Sequence, residues 1–176
     1  QCTFCEMYTA PQKKFRPRTQ AEIETDLQNV AQQGLPVRRI FLADGDAMAL
    51  STRRLLAILQ AIKQFLPHIE RVSTYCLPRN VANKSVAELQ ALREAGLQMV
   101  YVGCESGDDE VLQRVNKGET FQSSKESLLK LGQAGMTRSV MILNGLGGTR
   151  LSMQHAINSA KLMNEAQPEY LSSLVV

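Results

Sequence analysis

The chain has 176 residues, 44% of them apolar and 21% charged, with a formal net charge of +3. This is enough for one domain with a real core, and the charge is too mild to imply nucleic acid by itself. No run of about 18 or more consecutive apolar residues is present, so no transmembrane helix or membrane partner is expected.

The first helix is predicted from Thr19, where Thr19 and Glu22 have capping-box spacing. Ile23, Leu27 and Val30 fall at helical spacing, and Gly34 ends it. A strand follows over Arg39–Ala43. A second helix runs from about Ser51 to Phe65, striped by Leu55, Leu56, Leu59 and Ile62, with Pro67 after it. Val72–Tyr75 reads as the next strand. A third helix starts at Ser85, with Glu88 three residues on, and the strand Met99–Val102 succeeds it. A short helix over Asp109–Val115 precedes a longer one from Ser123, capped with Glu126. The strand Ser139–Leu143, a helix over Leu151–Glu165 and a strand over Tyr170–Val176 complete the pattern.

Three of these helices end alike, in QQGL, EAGL and QAGM, where glycine takes the left-handed conformation and the next apolar residue packs back. Helices alternating with short apolar strands imply a parallel α/β sheet, and the strand spacing suits a barrel of βα units. No composition break marks a second domain.

In such a barrel the chemistry sits on the loops after the strands. Those loops are Asp44-Gly45-Asp46, Cys76-Leu-Pro78-Arg79-Asn80, Gly103-Cys104-Glu105-Ser106-Gly107 and Asn144-Gly145-Leu146-Gly147-Gly148. Each has a plain alternative: a turn, a flexible loop, or for Glu105 a carboxylate near a helix start. The pair Cys2 and Cys5 is a C-x-x-C that reads as a redox pair, a zinc half-site or part of an iron–sulfur site. Cys76 and Cys104 read as buried apolar residues, with a four-cysteine metal site as the alternative. His68 and His155 read as helix-surface residues. Lys13, Lys14, Arg16 and Arg18 form a basic stretch that is either a solvated loop or an RNA contact. A C-x-x-C in a domain with a good core points to a reducing, cytoplasmic location.

The order of these pieces resembles the radical S-adenosylmethionine (SAM) superfamily along essentially the whole chain. Cys2-Thr-Phe4-Cys5 is similar to the last two cysteines of the C-x-x-x-C-x-φ-C loop. Asp44-Gly45-Asp46 occupies the place of the family's Gly-Gly-Glu, which holds the amino group of SAM. YVGCESGDDEVLQRVNKGET resembles the fourth-strand signature, with Glu105 and the adjacent Ser106 where the ribose is contacted. VMILNGLGG resembles the fifth-strand segment along the adenine and ribose, at Asn144 and Gly145. The resemblance is to a branch near the oxygen-independent coproporphyrinogen oxidases, the methylthiotransferases and the elongator-type enzymes.

The resemblance implies an α/β fold, a partial (βα)6 TIM-like barrel with the first strand missing from this chain. Residues 1–176 would form a single core domain, truncated at both ends. The implied cofactors are a [4Fe–4S] cluster on Cys2, Cys5 and a cysteine four positions before Cys2, outside this sequence, together with SAM. The implied activity is reductive cleavage of SAM to a 5′-deoxyadenosyl radical that takes hydrogen from an unknown substrate. A one-electron donor such as flavodoxin or ferredoxin is the implied partner, and no catalytic side chain is assignable. Besides the cysteine outside this sequence, the chain departs from the family pattern in two places. The acid at Asp46 is one methylene shorter than glutamate, and Tyr75 stands where the coproporphyrinogen-oxidase branch has an acid. The alternative is a degenerate, non-catalytic barrel that binds a metal or partner.

Overall fold

A computed structural model describes residues 2–5 and 16–176. Lys13 and Lys14 of the basic stretch lie outside the described residues. Its other two members are paired with acids on the first helix, Arg16 with Glu22 and Arg18 with Asp26.

Seven helices and five strands alternate among the described residues. The order is α1 (Gln20–Gln32), β1 (Arg39–Leu42), α2 (Thr52–Phe65), β2 (Arg71–Cys76), α3 (Pro78–Ala82), α4 (Val86–Glu94), β3 (Leu97–Glu105), α5 (Asp109–Arg114), α6 (Phe121–Gln133), β4 (Thr137–Asn144), α7 (Gly148–Ala166) and β5 (Tyr170–Val175). Every strand pair is parallel, and the strands lie in chain order β1-β2-β3-β4-β5. Sequential order with a helical crossover at each step is the winding of a βα barrel, as expected.

The start signals read from the sequence hold at α1 and α4. Thr19 with Glu22 and Ser85 with Glu88 both form reciprocal capping boxes, each cap contributing about 1 kcal/mol. The α6 start differs. Its cap is Thr120 paired with Ser123, not Ser123 paired with Glu126. The Asp109 carboxylate accepts the Phe121 N–H at 2.6 Å, and this contact from α5 favours the earlier start. The α7 helix begins at Gly148 rather than Leu151 and has no side-chain cap. The short α3, with Pro78 in its first turn, stands in what reads as a loop; Lys130 binds its Ala82 carbonyl at 3.1 Å.

Strand residues alternate between two faces. Ile40, Val72, Val100, Val102 and Val140 point to the helical layer, where Leu55, Leu59, Leu89, Leu92, Leu128, Leu131 and Leu162 complete a buried core. Each such leucine contributes roughly 2 kcal/mol by leaving water. Cys76 and Cys104 are buried on this same side, as expected of small apolar residues. The other face carries Phe41, Tyr75 and Tyr101, of which Phe41 and Tyr75 are exposed. The three ring centroids are 4.7 to 6.4 Å apart. No helix of the described residues is long and apolar enough to cross a membrane.

Candidate functional site

Parallel strands put their C-terminal ends on one edge, so the loops after β1, β2, β3 and β4 share a rim. The first turns sharply at Asp44 (φ 61°) and Gly45 (φ 137°); the second of these values is one that glycine tolerates and other residues do not. Asp46 follows. One of its oxygens accepts the Met48 N–H at 2.8 Å and caps a short 3-10 turn over Ala47–Ala49. The other accepts the Leu77 N–H at 2.6 Å and the Asn80 amide at 2.7 Å. Burial raises the Asp46 carboxyl above its ordinary range, opposed by these three bonds. Asp46 therefore ties the β1 loop to the β2 loop.

After β3 the chain is held by charge. Glu105 has φ 64°, and the β3–β4 pairing shifts register beside it. Its carboxylate folds back over Gly103, where a Cβ would overlap the Glu105 oxygen. Lys117 Nζ meets that carboxylate at 3.1 Å, with side chains 4% and 12% exposed. Arg79 from the β2 loop donates to the Lys117 carbonyl and to Glu119, whose side chain is 2% exposed.

Ser106 is fully buried. Its hydroxyl accepts the Asp108 N–H at 2.9 Å and shares a 2.7 Å hydrogen bond with His155 Nδ1 on α7. His155 is thus a buried residue and not a surface one, because α7 turns it toward the β3 loop. Asp108, rather than Glu105, caps α5. Asn144 ends β4 and its carbonyl accepts the Val176 N–H at 3.0 Å; Gly145 turns the chain with φ 99°.

Cys2 and Cys5 lie in one turn, closed by the Cys5 N–H on the Cys2 carbonyl at 3.2 Å. The Thr3 N–H bonds the Val115 carbonyl at 3.0 Å, which docks this turn against the end of α5, two residues before Lys117. Both thiols are partly exposed, and no disulfide joins any of the four cysteines. Two thiols on one tight turn fit part of an iron–sulfur ligand set. Among the described residues, no three His, Cys, Asp or Glu side chains converge to hold a metal. Cys76 and Cys104 take no part. Burial pushes the Cys76 thiol well above its ordinary value and Cys104 up to about 12, which suits inert core thiols and not ligands.

A cavity of about 510 Å³ opens at the free edge of β1, lined by Ile23, Leu27, Ile40, Phe41, Asp44 and Asp46. A larger one, about 660 Å³, lies at the opposite end of the strands beside Leu35, Arg38, Phe65 and His68. No loop discussed above reaches the larger cavity.

The structure brings Asp46 to the β2 loop and the Cys2–Cys5 turn to the α5 end of the β3 loop. It engages the Asp46 carboxylate and the Ser106 hydroxyl within the protein. Sequence reasoning did not single out Asn80, Lys117 or Glu119. Lys117 lies inside the fourth-strand stretch already quoted, but a lone lysine there reads as a surface residue.

The chain is 27% identical over 155 residues to the heme chaperone HemW of Bacillus subtilis (strain 168), across 85% of this chain and 40% of that one. Its fold matches coproporphyrinogen III oxidase (HemN) from Escherichia coli with a TM-score of 0.71 at 19% identity, over 92% of this chain and 39% of that one. Methylornithine synthase (PylB) matches with a TM-score of 0.68 at 19% identity, over 99% and 49%. The chain therefore spans half or less of the length of these proteins. The family model described as the radical SAM superfamily matches residues 1–162. The chain belongs to the radical SAM superfamily, whose members use a [4Fe–4S] cluster and S-adenosylmethionine.

Proposed function

We propose that this domain holds a [4Fe–4S] cluster and SAM, and that the full-length protein uses them for radical chemistry on a substrate C–H bond. The observation that carries this reading is the docking of the Cys2–Cys5 turn against the end of α5, beside the ion-paired Glu105 loop. When bound, the cluster and SAM supply one-electron cleavage of a carbon–sulfur bond and a 5′-deoxyadenosyl radical.

The chain's own residues divide the remaining work. Cys2 and Cys5 provide two thiolates, and the third comes from the position four residues before Cys2. The Asp44–Asp46 loop presents acceptors to the SAM ammonium; Asp46 also fixes the shape of that loop by binding Leu77 and Asn80. Glu105 accepts from the ribose hydroxyls, and the Asn144–Gly145 turn lies along the nucleoside. The sheet face bearing Phe41, Tyr75 and Tyr101 receives the substrate, and the bound substrate covers these rings and keeps water from the reacting centre. An electron donor of the flavodoxin or ferredoxin kind supplies the electron.

The test is anaerobic reconstitution of the full-length protein with iron and sulfide, followed by SAM and dithionite. Iron–sulfur absorbance and 5′-deoxyadenosine are the readouts, and both are expected to vanish in Cys5→Ala. Absorbance and iron content that persist in Cys5→Ala sink the ligand assignment. A second reading, a barrel that binds without cleaving SAM, is favoured by the name of the HemW relative, a chaperone. A loaded cluster that yields no 5′-deoxyadenosine with any candidate substrate supports that reading instead.

A further inference from the structure

We propose that Lys117 is the positioning residue for Glu105, and that it sets how SAM's ribose hydroxyls are received; this rests on the ribose role given to Glu105 above. Glu105 sits at a left-handed backbone position, next to a register shift in the sheet. Left to itself, its carboxylate has several rotamers within reach. One is chosen, folded back over Gly103. The space exists because residue 103 lacks a Cβ: an added one would overlap Glu105 Oε1 and lie 3.4 Å from Lys117 Nζ. The β-strand pairing puts Gly103 on the same face as Tyr101 and Met141, and the Glu105 carboxylate lies against the Gly103 Cβ position, so the ion pair stands on the sheet face opposite the helical core.

Lys117 is itself held rigidly. Its N–H bonds the Leu112 carbonyl at 3.0 Å, and its carbonyl receives the Arg79 guanidinium. Asn116 and Gly118, on either side of it, both adopt positive φ, 51° and 71°. Glu119 fixes Arg79 in turn at 2.9 Å, and Ser123 fixes Glu119 at 2.9 Å. A lysine with a 4% exposed side chain gains little from an ion pair as stability alone, since desolvation offsets most of the attraction. What the arrangement supplies is direction: one carboxylate oxygen is occupied by Lys117, which presents the group as an oriented acceptor.

The experiment measures binding of two non-reacting probes to the full-length protein, S-adenosylhomocysteine and its 2′,3′-dideoxyribosyl analogue. The wild type is expected to prefer the hydroxylated probe by about tenfold, as for a lost hydrogen bond to a charged acceptor. Lys117→Met should bring that ratio to about one, and Lys117→Arg should restore part of it. Gly103→Ala displaces the carboxylate with Lys117 intact and should collapse the ratio too, so the inference stays testable if Lys117→Met does not fold. A ratio that survives in Lys117→Met, or in Gly103→Ala, overturns the positioning role even if both probes bind more weakly. A wild type with no hydroxyl preference overturns the ribose reading of Glu105, and the role of Lys117 falls with it.

Discussion

Ser106 Oγ and His155 Nδ1 lie 2.7 Å apart, a single buried hydrogen bond that joins the loop after β3 to the middle of α7. His155 Nε2 is also buried, and no hydrogen bond of good geometry reaches it among the described residues. Burial holds the imidazole below its ordinary value of 6.5, with the Asp108 carboxylate and the Leu143 backbone pulling the other way.

Stability should therefore depend on pH through His155. Below pH 6.5 the unfolded chain binds a proton on this ring more readily than the folded one does, so stability falls as pH falls through that value. Urea midpoints measured from pH 7.5 down to about pH 5, above the usual carboxylate range, should decline. His155→Gln should flatten that decline. An unchanged slope in the variant would assign the pH dependence to another group.

Gly107→Ala should be strongly destabilising. A Cβ at residue 107 would overlap the backbone of Asn158 and come within 2.8 Å of Ser159 Cα, and helix backbone cannot swing aside as a side chain can. The β3 loop would have to lift from α7, breaking the Gly107 N–H bond to Ser159 Oγ at 2.9 Å. A loss of about 2–3 kcal/mol is expected by urea titration.

Asp46→Ala removes the acceptor of three donors at once. About 2 kcal/mol of stability should go, since the Leu77 N–H and the Asn80 amide lose their partner in a half-buried site. SAM binding should weaken as well, because the β1 loop is no longer tied to the β2 loop. Asp46→Asn retains one oxygen and should lose less. Equal stability of Asp46→Ala and wild type would remove this tether.

Arg138 is a structural counterpart to the rim network, at the other end of the sheet. Its guanidinium binds both oxygens of Glu169 and the carbonyls of Leu128, Ala166 and Gln167. Arg138→Ala should cost about 2–3 kcal/mol: Glu169 is 43% exposed, so solvent screens the ion pair, and most of the loss comes from the stranded carbonyls of Leu128 and Ala166. Arg138→Lys should recover only a minor part, because an ammonium cannot reach a fork of acceptors. Urea unfolding with circular dichroism measures both.

The alternation of helix and strand was legible in the residues, and so were the caps at Thr19 and Ser85, the rim loops and the Cys2–Cys5 pair. These signals are local. A capping box needs residues three apart, and a stripe such as Leu55, Leu59 and Ile62 needs only one helix. The α6 start marks the edge of that legibility, because Thr120 with Ser123 and Ser123 with Glu126 have the same spacing. The Asp109 carboxylate from another helix, and Glu119 binding the Ser123 hydroxyl, favour the first.

What the buried polar groups do was settled by tertiary structure alone. Lys117 meets Glu105 across 12 positions, Asp46 meets Leu77 and Asn80 across 31 and 34, and Ser106 meets His155 across 49. A polar side chain takes a buried place only where a distant partner compensates the loss of water, and strand register decides which partner arrives. The sequence by itself determined that this chain winds as parallel βα units with thiols and acids at its loops; packing decided which of those groups hold the loops together.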